Sequence, residues 1–211
     1  MNSKLVEFKE KGFVHLKNVI SQDVLIETRD LAIELKLKYK DLEGTPRENG
    51  SGVFWKGLEM ASTLDSRFYD KYTSDAMLQL SKEYLEIEEP YLFNDQIVVK
   101  LPNEHFEFYP HFDNQYGIDP EAALRGDFKT INFCQILTDM PLESGPLSCL
   151  NIKTNEWEII PANAGDIIAI EGNTIHSSTL NTSENIRALY ACVYSTHPIG
   201  NFQKGYYNIK F

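Results

Sequence analysis

The chain has 211 residues, 42% of them hydrophobic and 12% aromatic, with a net charge of −11. That length suits one domain with a proper core, and the acidity argues against nucleic-acid binding, which needs a basic face. No apolar run approaches the ~20 residues of a membrane span, so no membrane partner is expected, and nothing in the sequence sets an oligomeric state.

The start, Met1 to Phe8, lacks the apolar core of a signal peptide, and a cytoplasmic protein is expected. Residues Lys4 to Gly12 read as a short helix. Gly12 to Ile20 alternates and reads as a strand. Ser21 is a suitable N-cap for a long amphipathic helix through about Leu42, with Asp23 in its first turn. Glu43 to Thr63 is rich in Gly, Pro and charge, and a loop of that length is often functional. Trp55 lies within it and is a candidate to reach the pocket. Thr73 or Ser74 starts another helix, with Met77, Leu78, Leu80 and Tyr84 as its apolar stripe.

From about Tyr91 onward strands dominate. They are expected at Asn94 to Leu101, Glu107 to Asp113, Thr130 to Thr138, Leu147 to Lys153, Glu156 to Ile160, Asp166 to Glu171, Thr174 to Ser178 and Asn185 to Ser195. Short strands with regular turn signals predict a mainly β protein, a sandwich or jelly roll. One domain over residues 1–211 is expected, helical to about residue 90 and jelly roll from about 91 to 211. Cys134, Cys149 and Cys192 are odd in number without a Cys-x-x-Cys pair, and read as reduced, buried thiols.

The chemistry is concentrated in few residues. His111-Phe112-Asp113 lies beyond a β-branched run, Gln96 to Leu101. His176 follows the buried-strand pattern Asp166 to Glu171, and Arg187 comes eleven positions later on another strand. Two histidines and one carboxylate with open coordination sites form the facial triad of non-haem Fe(II) oxygenases. An arginine at the right distance can hold the far carboxylate of a co-substrate such as 2-oxoglutarate through a bidentate pair. In a jelly roll the early and late strands meet, so residues this far apart in sequence can share one site. The plainer readings are hydrogen-bonded barrel histidines, a turn role for Asp113 and a surface pair between Arg187 and Glu184. His15, His105 and His197 read as structural or solvated, and Trp157 as packing.

Further segments extend the pattern: Gly12-Phe13-Val14-His15-Leu16-Lys17-Asn18-Val19-Ile20-Ser21, Glu143-Ser144-Gly145-Pro146-Leu147, Ala164-Gly165-Asp166-Ile167-Ile168, His176-Ser177-Ser178 and Asn181-Thr182-Ser183, with Arg187. With the triad they resemble the phytanoyl-CoA dioxygenase-like branch of the Fe(II)/2-oxoglutarate dioxygenases, in the family's order and across most of the chain. The resemblance implies a double-stranded β-helix with N-terminal helices packed on one side. It implies iron on His111, Asp113 and His176, and 2-oxoglutarate held by Arg187 with help from the Ser178 hydroxyl. It also implies O₂ as co-substrate, and succinate and CO₂ as co-products. Related halogenases carry a small residue where Asp113 stands, so the carboxylate points to hydroxylation or another oxidation. The family's Pro-Gly-Ser-His stretch is replaced by the hairpin Asn151 to Trp157. The substrate is therefore not inherited from the family name, and nothing points to an acyl-CoA.

The expected reaction is hydroxylation of an unactivated C–H in a small polar metabolite, such as an amino acid or a natural-product intermediate. Tyr116 and Arg125, on the loop Asn114 to Lys129, join Trp55 as candidate substrate residues. Two other classes stay open. One is a jelly-roll small-molecule binder without turnover. The other is a cupin-type metal isomerase or hydrolase, for which Glu107 and His105 are the nearest extra ligands, without the expected Gly-rich spacing.

Overall fold

The computed structural model describes residues 2–39, 57–102, 104, 106–116 and 119–199. In chain order the elements are α1 (Ser3–Lys11), β1 (Phe13–Leu16), α2 (Gln22–Lys38), β2 (Leu58–Glu59), α3 (Ala61–Leu64), α4 (Ser66–Tyr72), α5 (Asp75–Leu85), β3 (Tyr91–Lys100), β4 (Phe108–His111), α6 (Pro120–Arg125), β5 (Thr130–Ile136), β6 (Leu147–Asn151), β7 (Glu156–Ile160), β8 (Ile167–Glu171), β9 (His176–Ser178) and β10 (Arg187–Ser195). The strands form a six-stranded sheet, β1-β8-β5-β10-β3-β2, and a four-stranded sheet, β4-β9-β6-β7. Every strand pairing is antiparallel. This is the expected double-stranded β-helix, with helices against the larger sheet.

Side-chain alternation sorts the larger sheet into two faces. Ala188, Tyr190, Cys192 and Tyr194 of β10 point to the helices, with Phe133 of β5, Val99 of β3 and Ala169 of β8. Leu31 and Leu35 of α2 and Tyr84 of α5 close that layer. Leu189 and Ala191 point the other way, with Val98, Cys134, Ile136, Ile168 and Ile170, and meet Leu147, Cys149 and Phe108 of the smaller sheet. This inter-sheet interior is where the site opens. Because β10 is buried on both faces it carries an unbroken run of buried residues, as a central strand should.

The elements expected on sequence are present with shifted ends. The first strand is shorter, Phe13–Leu16, because Asn18 turns the chain with a positive φ of 52°. The long helix starts after Ser21 with Asp23 in its first turn and ends at Lys38. Asp113 lies beyond β4, in the 3₁₀ turn Asp113–Tyr116. Four short elements are additions: β2, α3, α4 and α6. The last sits inside the expected loop Asn114 to Lys129. Its signals are plain in sequence: Asp119 caps the amide of Ala122, Pro120 opens the helix, and Gly126 closes it at φ 80°. The three cysteines are buried and unpaired with one another, as expected. Burial pushes the Cys134 thiol up to about 12, so it is inert at neutral pH. Trp157 is 46% exposed on β7 and does little packing.

Candidate metal centre

His111 and His176 face each other directly across the β4–β9 pairing, with ring centroids 4.4 Å apart. Asp113 Oδ1 lies 3.9 Å from His111 Nε2 and 3.5 Å from His176 Nε2. The three ligand atoms fall within 4.8 Å of one another. The side chains of His111, Asp113 and His176 are 10%, 21% and 7% exposed, so the cluster sits at the mouth of the inter-sheet interior.

Each donor is oriented by a second contact. His111 Nδ1 bonds the carbonyl of Tyr109 at 2.7 Å, and His176 Nδ1 bonds the carbonyl of Thr174 at 3.0 Å. A carbonyl only accepts, so both Nδ1 atoms carry the proton and both Nε2 lone pairs face the shared space. Burial, and then the neighbouring His176, push His111 down to about 4 against the pull of Asp113, so its imidazole is neutral at pH 7. Asn132 Nδ2 donates to Asp113 Oδ2 at 2.9 Å and leaves Oδ1 for a metal. Two imidazole Nε2 atoms and one carboxylate oxygen on one side, with no fourth such ligand joining them among the described residues, suit a divalent iron with open positions.

The loops around the cluster explain how it is held. The α1 C-cap Gly12 (φ 84°) offers its carbonyl to Thr174 Oγ1 at 3.0 Å and to the Glu171 amide at 2.8 Å. The β8–β9 turn is thus fixed just before His176. Asn114, 1% exposed, donates its amide to the Gly172 carbonyl and accepts from Thr130 Oγ1 at 2.7 Å. This ties the Asp113 turn to the same region. Gly145, at φ 69°, lies where a Cβ would come within 2.3 Å of the Thr179 carbonyl, so only glycine lets this turn approach the end of β9.

Arg187 lies deeper in the interior. Strand parity places it on the face of Leu189 and Ala191, and it is 1% exposed. Its Nε and Nη2 have no hydrogen-bond partner among the described residues. Burial lowers it only to about 10, so it stays charged. It is not a surface partner of Glu184. A buried guanidinium with open donors is costly unless a ligand completes it, and a carboxylate of a keto acid bound at the metal is the matching shape. Ser178, 2% exposed, shares the strand face of His176, two residues on. The Asn181 side chain bonds the carbonyls of Lys100, Leu101 and Asn185. This closes the β9–β10 turn onto the end of β3 and brings Ser178, Arg187 and Lys100 together.

Of the candidate substrate residues, only Arg125 has a described side chain. Arg125 ends α6, is 57% exposed in its side chain and pairs with Asp127 at 2.9 Å. Tyr116 ends the 3₁₀ turn after Asp113. Trp55 and His105 lie outside the described residues. His15 is structural, bonding Asp166 at 2.8 Å. Asn114, Asn132 and Lys100 were not marked by the motif. Asn132 and Lys100 are polar residues in apolar strand runs, and that alternation is the only sequence signal they carry, whereas Asn114 stands in the turn after β4.

Asn132 has a measurable role if it orients Asp113. Asn132→Leu should lower metal affinity by about ten- to a hundredfold, the usual worth of an outer-shell partner, with little loss of thermal stability. Metal titration monitored by calorimetry checks this; unchanged affinity would leave Asn132 as packing only.

Comparison with known proteins agrees with this architecture. A crystal structure of the epimerase SnoN in complex with Fe3+, alpha ketoglutarate and nogalamycin RO superposes with a TM-score of 0.73 at 18% identity, covering 91% of this chain and 82% of that one. The carbocyclase SnoK from nogalamycin biosynthesis gives 0.77 at 16% identity, over 99% and 91%. EctD from S. alaskensis, with 2-oxoglutarate and 5-hydroxyectoine, gives 0.75 at 15% identity, over 92% and 75%. No match is found among curated proteins. The model of the family described as phytanoyl-CoA dioxygenase (PhyH) matches residues 8–189, and the chain therefore belongs to that family of Fe(II)- and 2-oxoglutarate-dependent enzymes, which take O₂ as co-substrate.

Proposed function

We propose that this enzyme hydroxylates an unactivated C–H of a small polar metabolite, with His111, Asp113 and His176 as its iron ligands and Arg187 with Ser178 as the anchor of 2-oxoglutarate. The observation that carries the reading is Arg187, buried and charged with open donors in the same interior as the triad. Bound iron, with 2-oxoglutarate and O₂, supplies the oxidising power and leaves succinate and CO₂ as co-products. The chain's own groups do the rest. His111 and His176 offer their Nε2 atoms, Asp113 offers Oδ1, and Arg187 fixes the keto acid by its far end. The walls exclude water and hold the substrate near the metal. Asp113 occupies the position that a halogenase would leave to chloride.

Polar lining supports a polar substrate. Strand parity sets Asn94 and Gln96 of β3 on the face of Val98 and Lys100, and Asn94 pairs with Val193, which also pairs with Asn132. The buried Asn94 Oδ1 has no partner among the described residues. Amides at the mouth suit an amino acid or a polar natural-product intermediate better than a lipid. The fold also carries an epimerase and a carbocyclase, so the mass of the product decides. Anaerobically iron-loaded enzyme should be given 2-oxoglutarate, air and a panel of free amino acids and small polar metabolites. A product one oxygen heavier, formed with matching succinate, is expected. A product of unchanged mass or two hydrogens lighter would overturn hydroxylation in favour of epimerisation or ring formation. Binding of a panel compound without succinate would favour a non-catalytic binder.

A further inference from the structure

Resting on the assignment of iron to His111, Asp113 and His176, we infer that Asn173 is a positioning residue of the metal centre. Through Asn114 it clamps the turns that carry Asp113 and His176 to α6, so that metal binding and the docking of α6 reinforce each other. Asn173 stands in the β8–β9 turn beside Thr174, whose carbonyl orients His176. Its Oδ1 accepts from Asn114 Nδ2 at 2.8 Å, and its Nδ2 donates to the Ala123 carbonyl of α6 at 3.1 Å. Because a carbonyl only accepts, the Ala123 contact fixes which way the Asn173 amide points. Its backbone amide is held by Glu171 Oε2 at 2.9 Å. One side chain thus joins the turn after β4, the turn before β9 and α6.

The helix depends on such a tie. α6 spans six residues, Pro120–Arg125, and a helix that short does not hold by itself. Its buried residues are Ala122 and Ala123, which pack with Phe128 and Ile199. That is little apolar area, so polar bonds decide whether it docks. Asp119 caps its first turn at 2.8 Å. Among the described residues, the bond from Asn173 is the hydrogen bond that joins α6 to the β8–β9 turn. The other end of the chain of bonds is equally complete. Asn114 donates its backbone amide to the Gly172 carbonyl at 3.1 Å and accepts from Thr130 Oγ1 at 2.7 Å. A Cβ on Gly172 would overlap Thr130 Oγ1 and stand 2.8 Å from Asn114 Nδ2, so the two turns meet this closely only with glycine there. A polar network whose members are all satisfied is rigid. A metal that fixes Asp113 against His176 therefore also fixes Asn114, Asn173 and α6. The coupling is reciprocal, so whatever docks α6 holds Asp113 in place for the metal.

Two readouts test this on the whole chain: anaerobic calorimetric titration with Fe(II), and hydrogen exchange of the α6 segment with and without Fe(II). The amides of Ala123, Gly126 and Asp127 are bonded within that segment and report its docking. In the wild type, Fe(II) should slow their exchange by about tenfold. Asn173→Ala should weaken Fe(II) binding by about tenfold, speed the exchange and remove its dependence on Fe(II). Asp119→Ala removes the helix cap and should weaken Fe(II) by about fivefold, but not when Asn173→Ala is already present. Asp119→Asn keeps a capping oxygen while dropping the charge, and should bind Fe(II) as the wild type does. An Asn173→Ala variant that loosens α6 but keeps its Fe(II) affinity would make Asn173 merely structural and overturn the inference. Exchange in α6 that ignores Fe(II) would overturn it too, with the iron ligands left standing. No Fe(II) binding by the wild type would overturn both. If Asn173→Ala does not fold, Asp119→Ala decides: an unchanged Fe(II) affinity overturns the coupling.

Discussion

Arg187→Met is expected to cost the protein its co-substrate and to make it more stable. The guanidinium is fully buried, with two nitrogens that have no partner among the described residues, which is unfavourable in the folded chain. Methionine keeps most of the length without the charge. Loss of a buried charge pair with a ligand is worth about 2–5 kcal/mol, so the Kd for 2-oxoglutarate should rise by at least about thirtyfold. Thermal unfolding should move the other way, up by roughly 2–4 °C for each kcal/mol relieved in a chain of this size. Stability sacrificed to hold an unpaired group is the mark of a binding site. A fall in Tm with unchanged 2-oxoglutarate affinity would make Arg187 a structural residue instead. Lysine is not a substitute, because it lacks the planar fork.

His176→Ala is the second large effect. His176 is the most buried of the three triad side chains, and its Nε2 is fixed by the Thr174 carbonyl on the far side of the ring. Removing a direct ligand should lower iron affinity by more than the about ten- to hundredfold that an outer-shell partner is worth, and iron-dependent turnover should fall to background. The fold should survive, since β9 is held by both β4 and β6. Metal content after loading and desalting, read beside circular dichroism, checks both halves. A folded variant that retains iron would remove His176 from the site.

The jelly roll was legible because its strands alternate and its turns are marked by Gly, Asn and Asp. The Glu156–Ile160 strand falls on its predicted residues, and Leu147–Asn151 and Arg187–Ser195 within about two. Short elements such as α3 and α4 carry too few periods to read, although the α6 caps were visible and were absorbed into a loop. The cluster of His111, Asp113 and His176 was legible because His111-Phe112-Asp113 is local and His176 follows a clear strand. What supports the triad was not. Asn132 reaches Asp113 from β5, and Lys100 meets Arg187 through the β3–β10 register. Strand pairing sets those meetings, and a single sequence does not state it. Lys100 falls within the expected strand Asn94 to Leu101. Its parity with Val98 was the signal that it points inward.

The most direct test of the whole account is succinate formation from 2-oxoglutarate under air by protein loaded anaerobically with Fe(II), compared with His176→Ala and Arg187→Met. The account predicts succinate that requires iron, vanishes in both variants, and rises in the presence of one polar compound of the panel. Iron-independent succinate, or turnover that survives the loss of either side chain, would contradict it.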